Sequence, residues 1–214
     1  MNILICISSK SPNSTLYACL ANLYKIQIYD AHNYSIHIVD SDSDDFQYYN
    51  EIKYHFPDAE IHYIKNKNYE YGAWKYISTK YPDFDIYMCI QDSMVIQKPI
   101  NLNLVDDTHA YTFHNYSGYK WHMTIKEMGI ENIRTSNLDY ESIVNDPDFN
   151  LAQHSSFIVN NAVIKDIFKS LTIPPVNKDG SCFYERNFGI YFTAKKIQTF
   201  DLTSSIHKTH FGRI

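Results

Sequence analysis

Short apolar runs alternate with amphipathic stretches through the first hundred residues. Asn2–Ser8 (NILICIS) is apolar at consecutive positions and ends in small polar residues, the pattern of a strand buried on both faces. Ser11 followed by Pro12 reads as a helix start, a capping hydroxyl before a proline at the first helical position. Leu16, Leu20, Leu23 and Ile26 then recur at helical spacing and define one apolar face. Ser35–Asp40 (SIHIVD) predicts a second strand, and Phe46, Tyr49, Ile52 and Phe56 a second helix stopped by Pro57. Glu60–Ile64 predicts a third strand and Tyr69–Lys80 a third helix, closed by Pro82. Asp85–Gln91 (DIYMCIQ) is the most apolar strand and runs into Asp92 and Ser93.

This alternation predicts an α/β fold, a mainly parallel central sheet with helices on both faces. Such sheets bind ligands at the carboxyl ends of their strands. The polar residues expected there are Ser8, Ser9, Asp40, Asp42, Asn66, Asn68, Gln91, Asp92 and Ser93. The second half is less regular. Ala110–Phe113, Ser156–Val159 and Ile197–Leu202 read as strands, and Asn160–Ser170 and Cys182–Lys195 as helices, with a Pro174–Pro175 loop between those helices. The tail His207–Ile214 is polar and rich in metal-ligating side chains. No internal repeat or low-complexity linker divides the 214 residues, so one domain is expected.

Composition narrows the function. The net charge of −5 and the absence of any Lys/Arg cluster argue against nucleic-acid binding. No apolar run approaches the roughly 20 residues of a membrane span. The apolar start lacks the basic residues and length of a signal peptide, so a cytoplasmic chain, or part of a longer cytoplasmic polypeptide, is expected. Asn-x-Ser/Thr triplets at Asn13, Asn33 and Asn115 matter only for a secreted chain. Cys6, Cys19, Cys89 and Cys182 show no C-x-x-C spacing and read as buried reduced thiols. The 19 tyrosines and 12 phenylalanines suit either core packing or stacking against sugars.

No G-x-G-x-x-G and no Walker lysine motif follows the first strand, and the chain has only 6 glycines, which disfavours dinucleotide and P-loop enzymes. The residues that do occupy the ligand edge are Ser8-Ser9-Lys10, Asp40-Ser41-Asp42, the segment Asn68-Tyr69-Glu70-Tyr71-Gly72-Ala73-Trp74 and the motif Gln91-Asp92-Ser93. In these, over roughly residues 1–100, the chain resembles the GT-A glycosyltransferases, including short GT-A domains encoded by large DNA viruses. The resemblance implies a GT-A-like three-layer α/β/α sandwich, with a nucleotide-binding half (1–100) and an acceptor-binding half (101–214). It implies a hexosyl- or deoxyhexosyltransferase that takes a UDP- or GDP-sugar and a glycan or other hydroxyl acceptor, working in the cytoplasm, or in a host's cytoplasm if the chain is viral. It assigns Asp40 to the nucleoside, and Ser8, Tyr71, Gly72, Gln91, Asp92 and Ser93 to the donor. It also implies Mn²⁺ or Mg²⁺ at the D-x-D position. Here that position is Gln91-Asp92-Ser93, with one carboxylate where the family has two. Asp92, phosphate oxygens and water would still suit such an ion, and His207 or His210 would complete its shell. As plain sequence, Asp92 also reads as a turn residue, and the two histidines as a solvated tail.

In the second half, Glu185 shares a helical face with Phe188, Gly189 and Phe192. A carboxylate on an apolar face is costly unless paired or used. An inverting transferase needs one carboxylate to take the acceptor's proton, and Glu185 is the first choice, with Asp148 and Asp146 as alternatives. An ion pair with Arg186 or Lys178 is the structural alternative for Glu185. Gly189, costly inside a helix, implies close packing or a nearby ligand. Two other classes remain open: a nucleotidyltransferase, and a non-catalytic nucleotide- or glycan-binding domain, which the single carboxylate at Gln91-Asp92-Ser93 would suit.

Overall fold

A computed structural model describes residues 1–25, 33–114, 132–136, 138–144 and 150–209. The elements in chain order are β1 (Asn2–Ser9), α1 (Ser14–Lys25), β2 (Asn33–Asp40), α2 (Gln47–His55), β3 (Glu60–Tyr63), α3 (Tyr69–Lys80), β4 (Ile86–Gln91), β5 (Met94–Ile96) and β6 (His109–Thr112). There follow α4 (Glu141–Val144), β7 (Phe157–Asn160), α5 (Asn161–Ser170), α6 (Lys178–Ala194), β8 (Gln198–Asp201) and β9 (Ile206–Lys208). A 7-stranded sheet has the order β3-β2-β1-β4-β7-β6-β8. Its pairings are parallel except at β7, which runs antiparallel to both β4 and β6.

Burial explains why the central strands take this form. Residues Ile3–Ile7 of β1 and all of β4 are buried, as strands covered on both faces must be. One face packs Leu4, Cys6, Val39 and Cys89 against Trp74 and Ile77 of α3, Ile164 of α5 and Phe188 of α6. The other packs Ile5, Ile7, Ile38 and Met88 against Leu16 and Leu20 of α1 and Tyr49 and Ile52 of α2. The result is the expected three-layer α/β/α arrangement. Among the described residues no helix is long and apolar enough to cross a membrane.

Local chemistry moves several predicted boundaries. Helix α1 is capped by Asn13, whose Oδ1 accepts the Thr15 N–H at 2.9 Å, and not by Ser11, whose φ of 57° lies outside the helical region. Asn177 caps α6 by accepting the Gly180 N–H at 2.7 Å, so that helix starts one turn before Cys182. Phe46 belongs to the turn before α2 and is exposed. Strands β5 and β9, absent from the sequence pattern, pair antiparallel as a separate ribbon with Met94 opposite Lys208. All four cysteines are free; Cys182 is half-buried and the other three are buried.

Gly189 is explained by packing. A Cβ there would collide with the backbone carbonyl oxygen of Asn150 and lie 3.1 Å from Cα of Leu151. Helix propensity favours Gly189→Ala by about 1 kcal/mol. Overpacking against backbone should outweigh it, leaving the variant about 1–3 kcal/mol less stable in urea unfolding. A stabilised variant would show that this backbone yields.

Candidate active site

The parallel register brings the polar strand ends together. Ser9 pairs with Asp40 across β1–β2, and Ser8 pairs with Gln91 across β1–β4. The chain leaves both neighbouring strands still tied to β1: Ser41 N–H donates to Ser9 O at 2.8 Å, and Asp92 N–H to Ser8 O at 3.0 Å. Asp92 is 3% exposed, and its Oδ2 accepts from Ser9 Oγ at 2.9 Å. Ser8 Oγ lies 3.3 Å from Ser41 Oγ.

Asp40 is the most heavily bonded carboxylate at this edge. Its Oδ1 accepts from Ser43 Oγ at 2.5 Å and Tyr49 OH at 2.8 Å, and its Oδ2 from Ser43 N–H at 3.0 Å. It therefore pins the β2–α2 loop and lies inside the wall of the site. Burial pushes the Tyr49 hydroxyl's pKa well up, with the Asp40 carboxylate adding to it, so Tyr49 stays a donor.

The second half of the chain supplies the rest. Gln91 bridges two groups: its Nε2 donates to Glu70 Oε1 at 2.6 Å, and its Oε1 accepts from Lys208 Nζ. Ser181 Oγ donates to Glu70 Oε2 at 3.1 Å. Lys208 Nζ also lies 3.2 Å from His154 Nδ1. Glu185, half-buried on α6, accepts the backbone N–H of His154. Burial raises the Glu185 pKa, and Glu70 adds to this; Arg186, the His154 N–H and Lys208 partly offset it. The site thus gathers the carboxylates of Glu70 on α3 and Glu185 on α6 near an ammonium delivered by β9, while Asp92 at the β4 end is bonded to Ser9.

The backbone at this edge is strained. The described non-glycine residues at positive φ are Ser11, Asp42, Lys65, Tyr69, His154, Ser155 and Lys196. Ser11, Asp42 and Lys65 lie in loops after β1, β2 and β3, Tyr69 opens α3, and His154 and Ser155 lie just before β7, beside the β4 end. Left-handed conformations of this kind cluster at functional sites, where packing overdetermines them.

Several candidates stand elsewhere. Tyr71 is buried in the core and donates its hydroxyl proton to Leu171 O at 2.7 Å. Gly72 serves the site indirectly: a Cβ there would strike the Asn66 side chain, which holds the loop before α3 through Tyr69 O at 2.7 Å. Trp74 packs in the core and donates Nε1–H to Ser155 O at 2.9 Å. Ser93 offers its carbonyl to Thr209 N–H at 2.8 Å, which ties the tail to the motif. His207 is exposed on β9, opposite Val95, while Ile206 and Lys208 point to the other side. Asp146, Asp148 and His210 lie outside the described residues. Glu70, His154, Ser181 and Lys208 escaped the sequence reading. Glu70 stood inside the Asn68–Trp74 segment, and Lys208 stood between the tail histidines.

No protein-family description and no curated protein sequence matches the chain. Solved structures do. TarS of S. aureus, as residues 1–349, superposes with a TM-score of 0.60 at 12% identity over 98% of this chain and 60% of that one. A longer TarS structure gives 0.56 at 12% identity, over 98% of this chain and 37% of its own. The bifunctional glycosyltransferase WbbM, in its apo form, gives 0.50 at 12% identity, over 94% and 38%. The fold is a glycosyltransferase fold. The chain spans 60% or less of the length of each of these structures. At 12% identity the likeness speaks for the glycosyltransferase fold, and side-chain roles rest on the geometry above.

The Asp40 geometry predicts a structural penalty. Asp40→Asn loses an acceptor facing Ser43 or Tyr49, so unfolding in urea should show about 1–3 kcal/mol lost stability. An unchanged midpoint would mean that these bonds are replaced at no cost.

Proposed function

We propose that this chain transfers a hexosyl or deoxyhexosyl group from a UDP- or GDP-sugar to a hydroxyl of a glycan or other acceptor, assisted by Mn²⁺ or Mg²⁺. The observation that carries this reading is the cluster of Glu70, Glu185 and Lys208 about Gln91, with the buried Asp92 next in the chain, at the polar edge of a glycosyltransferase fold. A nucleotidyltransferase reading lacks a basic glycine-rich loop after β1.

The nucleoside belongs against the Ser8, Asp40 and Ser41 loops, and the diphosphate at Ser9, Asp92 and Ser93. Among the described residues Asp92 is not joined by two further His, Cys or carboxylate ligands. An ion that keeps waters and phosphate oxygens needs only one or two carboxylates, so Asp92 fits Mg²⁺ or Mn²⁺ of that kind. The bound ion would supply positive charge to the leaving diphosphate. Lys208 supplies a second cation from the protein itself, preorganised by Gln91 and His154. Glu185 takes the acceptor hydroxyl's proton as that oxygen bonds the sugar's anomeric carbon; the carbon–phosphate oxygen bond breaks, and its electron pair leaves on the diphosphate.

Release of free UDP or GDP from a panel of nucleotide sugars, with and without Mn²⁺, tests the reading; no release with any donor in the presence of acceptor glycans overturns it. Calorimetry of UDP or GDP with Mn²⁺ should show binding in the wild type, most of it lost in Asp92→Asn and weakened in Lys208→Met. Affinity unchanged in Asp92→Asn removes Asp92 from the donor site. His207→Ala and His210→Ala in the same assay decide whether the tail ligates the ion.

Glu185→Gln should keep donor affinity while transfer falls by about 10²–10⁴-fold. A base works deprotonated, and burial raises this carboxyl's pKa, so the rising limb of kcat/KM against pH should lie above the usual glutamate value of about 4.3. In Lys208→Met the limb should move further alkaline, because a neighbouring positive charge that favours the carboxylate is gone. Wild-type transfer in Glu185→Gln would shift the base to Asp146 or Asp148.

A further inference from the structure

A second cluster lies on the β2–β3 edge, away from the strand ends. His37 on β2 and His62 on β3 are both buried, with ring centroids 5.3 Å apart. Nδ1 of His37 lies 3.0 Å from Nε2 of His62. Glu60, the first residue of β3, brings Oε2 to 3.6 Å from His37 Nδ1 and Oε1 to 3.7 Å from His62 Nδ1. One ligand atom from each residue can be chosen so that all lie within 4.8 Å of one another. The register causes this: His37 pairs with Glu60, and His62 follows on the same face of β3. His37 precedes Asp40 on β2 by about 10 Å of strand, so this cluster is separate from the site proposed for sugar transfer.

The hydrogen bonds assign the tautomers. Lys80 Nζ, which can only donate, stands 3.3 Å from His62 Nδ1. The proton of His62 is therefore on Nε2, and it points at Nδ1 of His37. The proton of His37 is then on Nε2, donated to Ser35 Oγ at 2.9 Å. Both rings are neutral in this chain. Burial, then the neighbouring His62, pushes His37 down to about 4, and burial lowers His62 as well. Neutral imidazole is the form that ligates metals.

We propose that His37, Glu60 and His62 form a divalent-metal site, best matched to Zn²⁺, that fastens the edge strand β3 to β2. Two imidazoles and a carboxylate are a common zinc donor set, with water in the fourth position. Ligands about 2.1 Å from a tetrahedral ion lie about 3.4 Å apart. The separations of 3.0 and 3.6 Å from His37 Nδ1 bracket that value. The Ser35 bond fixes the His37 ring with its lone pair turned inward, as the outer partners of ligating histidines do. Loading requires the His62 proton to move to Nδ1, where the Tyr76 hydroxyl stands 3.4 Å away. It also requires Lys80, 3.6 Å from Glu60 Oε1 and partly exposed, to swing outward. Lys80 thus competes with a metal ion for these ligand atoms. Strand β3 gains most, since among the described strands it pairs with β2 alone and has 4 residues.

The test is calorimetric titration of the chelator-stripped full chain with ZnCl₂, on an Asp92→Asn background so that no ion at the transferase site contributes. One Zn²⁺ per chain is expected, with a raised melting temperature and, with Co²⁺, the visible bands of a four-coordinate ion. Glu60→Gln, at an exposed position, should weaken Zn²⁺ by at least about tenfold. His62→Gln should abolish the Co²⁺ spectrum, and Lys80→Met should tighten binding. Absence of stoichiometric Zn²⁺ binding overturns the proposal, as does binding that is unchanged in both Glu60→Gln and His62→Gln. Zinc binding that fails here leaves UDP or GDP release intact as a separate question, and the reverse also holds.

Discussion

Strand β1 is buried on both faces, and it is paired on both edges with parallel strands. No polar side chain can be placed along Ile3–Ile7 without an unmet hydrogen bond, so polarity is confined to the strand's ends. Because β2 and β4 run parallel to it in matched register, their polar ends arrive at the same edge. Ser9, Asp40, Gln91 and Asp92 meet there for that reason. At this edge the backbone turns while still tied to β1, through Ser41 and Asp92.

A concentration of carboxylates at such an edge would repel itself without a cation. Glu70 raises the pKa of Glu185, and burial raises it more. The compensation comes from the far end of the described chain. β9 pairs with β5, directly after the Gln91-Asp92-Ser93 motif, and this pairing aims Lys208 at Gln91 and His154. His154 sits in a left-handed conformation, with its backbone N–H turned toward Glu185 and its ring toward Lys208. That strain is maintained by packing around it: Ala152 N–H donates to Glu185 O at 2.9 Å, and Trp74 donates to Ser155 O at 2.9 Å.

The first half of the fold was legible because buried parallel strands leave unbroken apolar runs and helices leave a regular stripe. Strand ends, and hence Ser9, Asp40, Gln91 and Asp92, followed from those runs. The second half was harder for physical reasons. Strands β5 and β9 have only 3 residues each, too few for a period to register. Lys208 looked like one charge in a polar tail, since its importance depends on a pairing with Met94 more than a hundred residues earlier. Glu70 was visible but unassigned, because its partners Gln91 and Ser181 come from distant segments. Tyr71 and Gly72 were read toward a ligand from a resemblance, while the structure gives them work in packing α3. The histidines at 37 and 62 drew no assignment from the sequence, since neither spacing nor composition reveals a pairing between strands.

On the proposed reading, the position of Lys208 links the two halves of the reaction. In the structure its ammonium lies where it favours the ionised form of Glu185 and is held by neutral acceptors on Gln91 and His154. A diphosphate carries more negative charge than either acceptor, so an arriving donor would draw the ammonium toward itself. Glu185 would then keep its burial and its Glu70 neighbour but lose part of the positive charge that steadies its carboxylate. Its affinity for a proton would rise at the moment a donor is in place, which is when a base is needed. A free enzyme would hold the same carboxylate in a less basic condition. The same lysine would therefore bind the leaving group and time the base, and a second carboxylate in the metal motif would be less necessary than where metal charge acts alone.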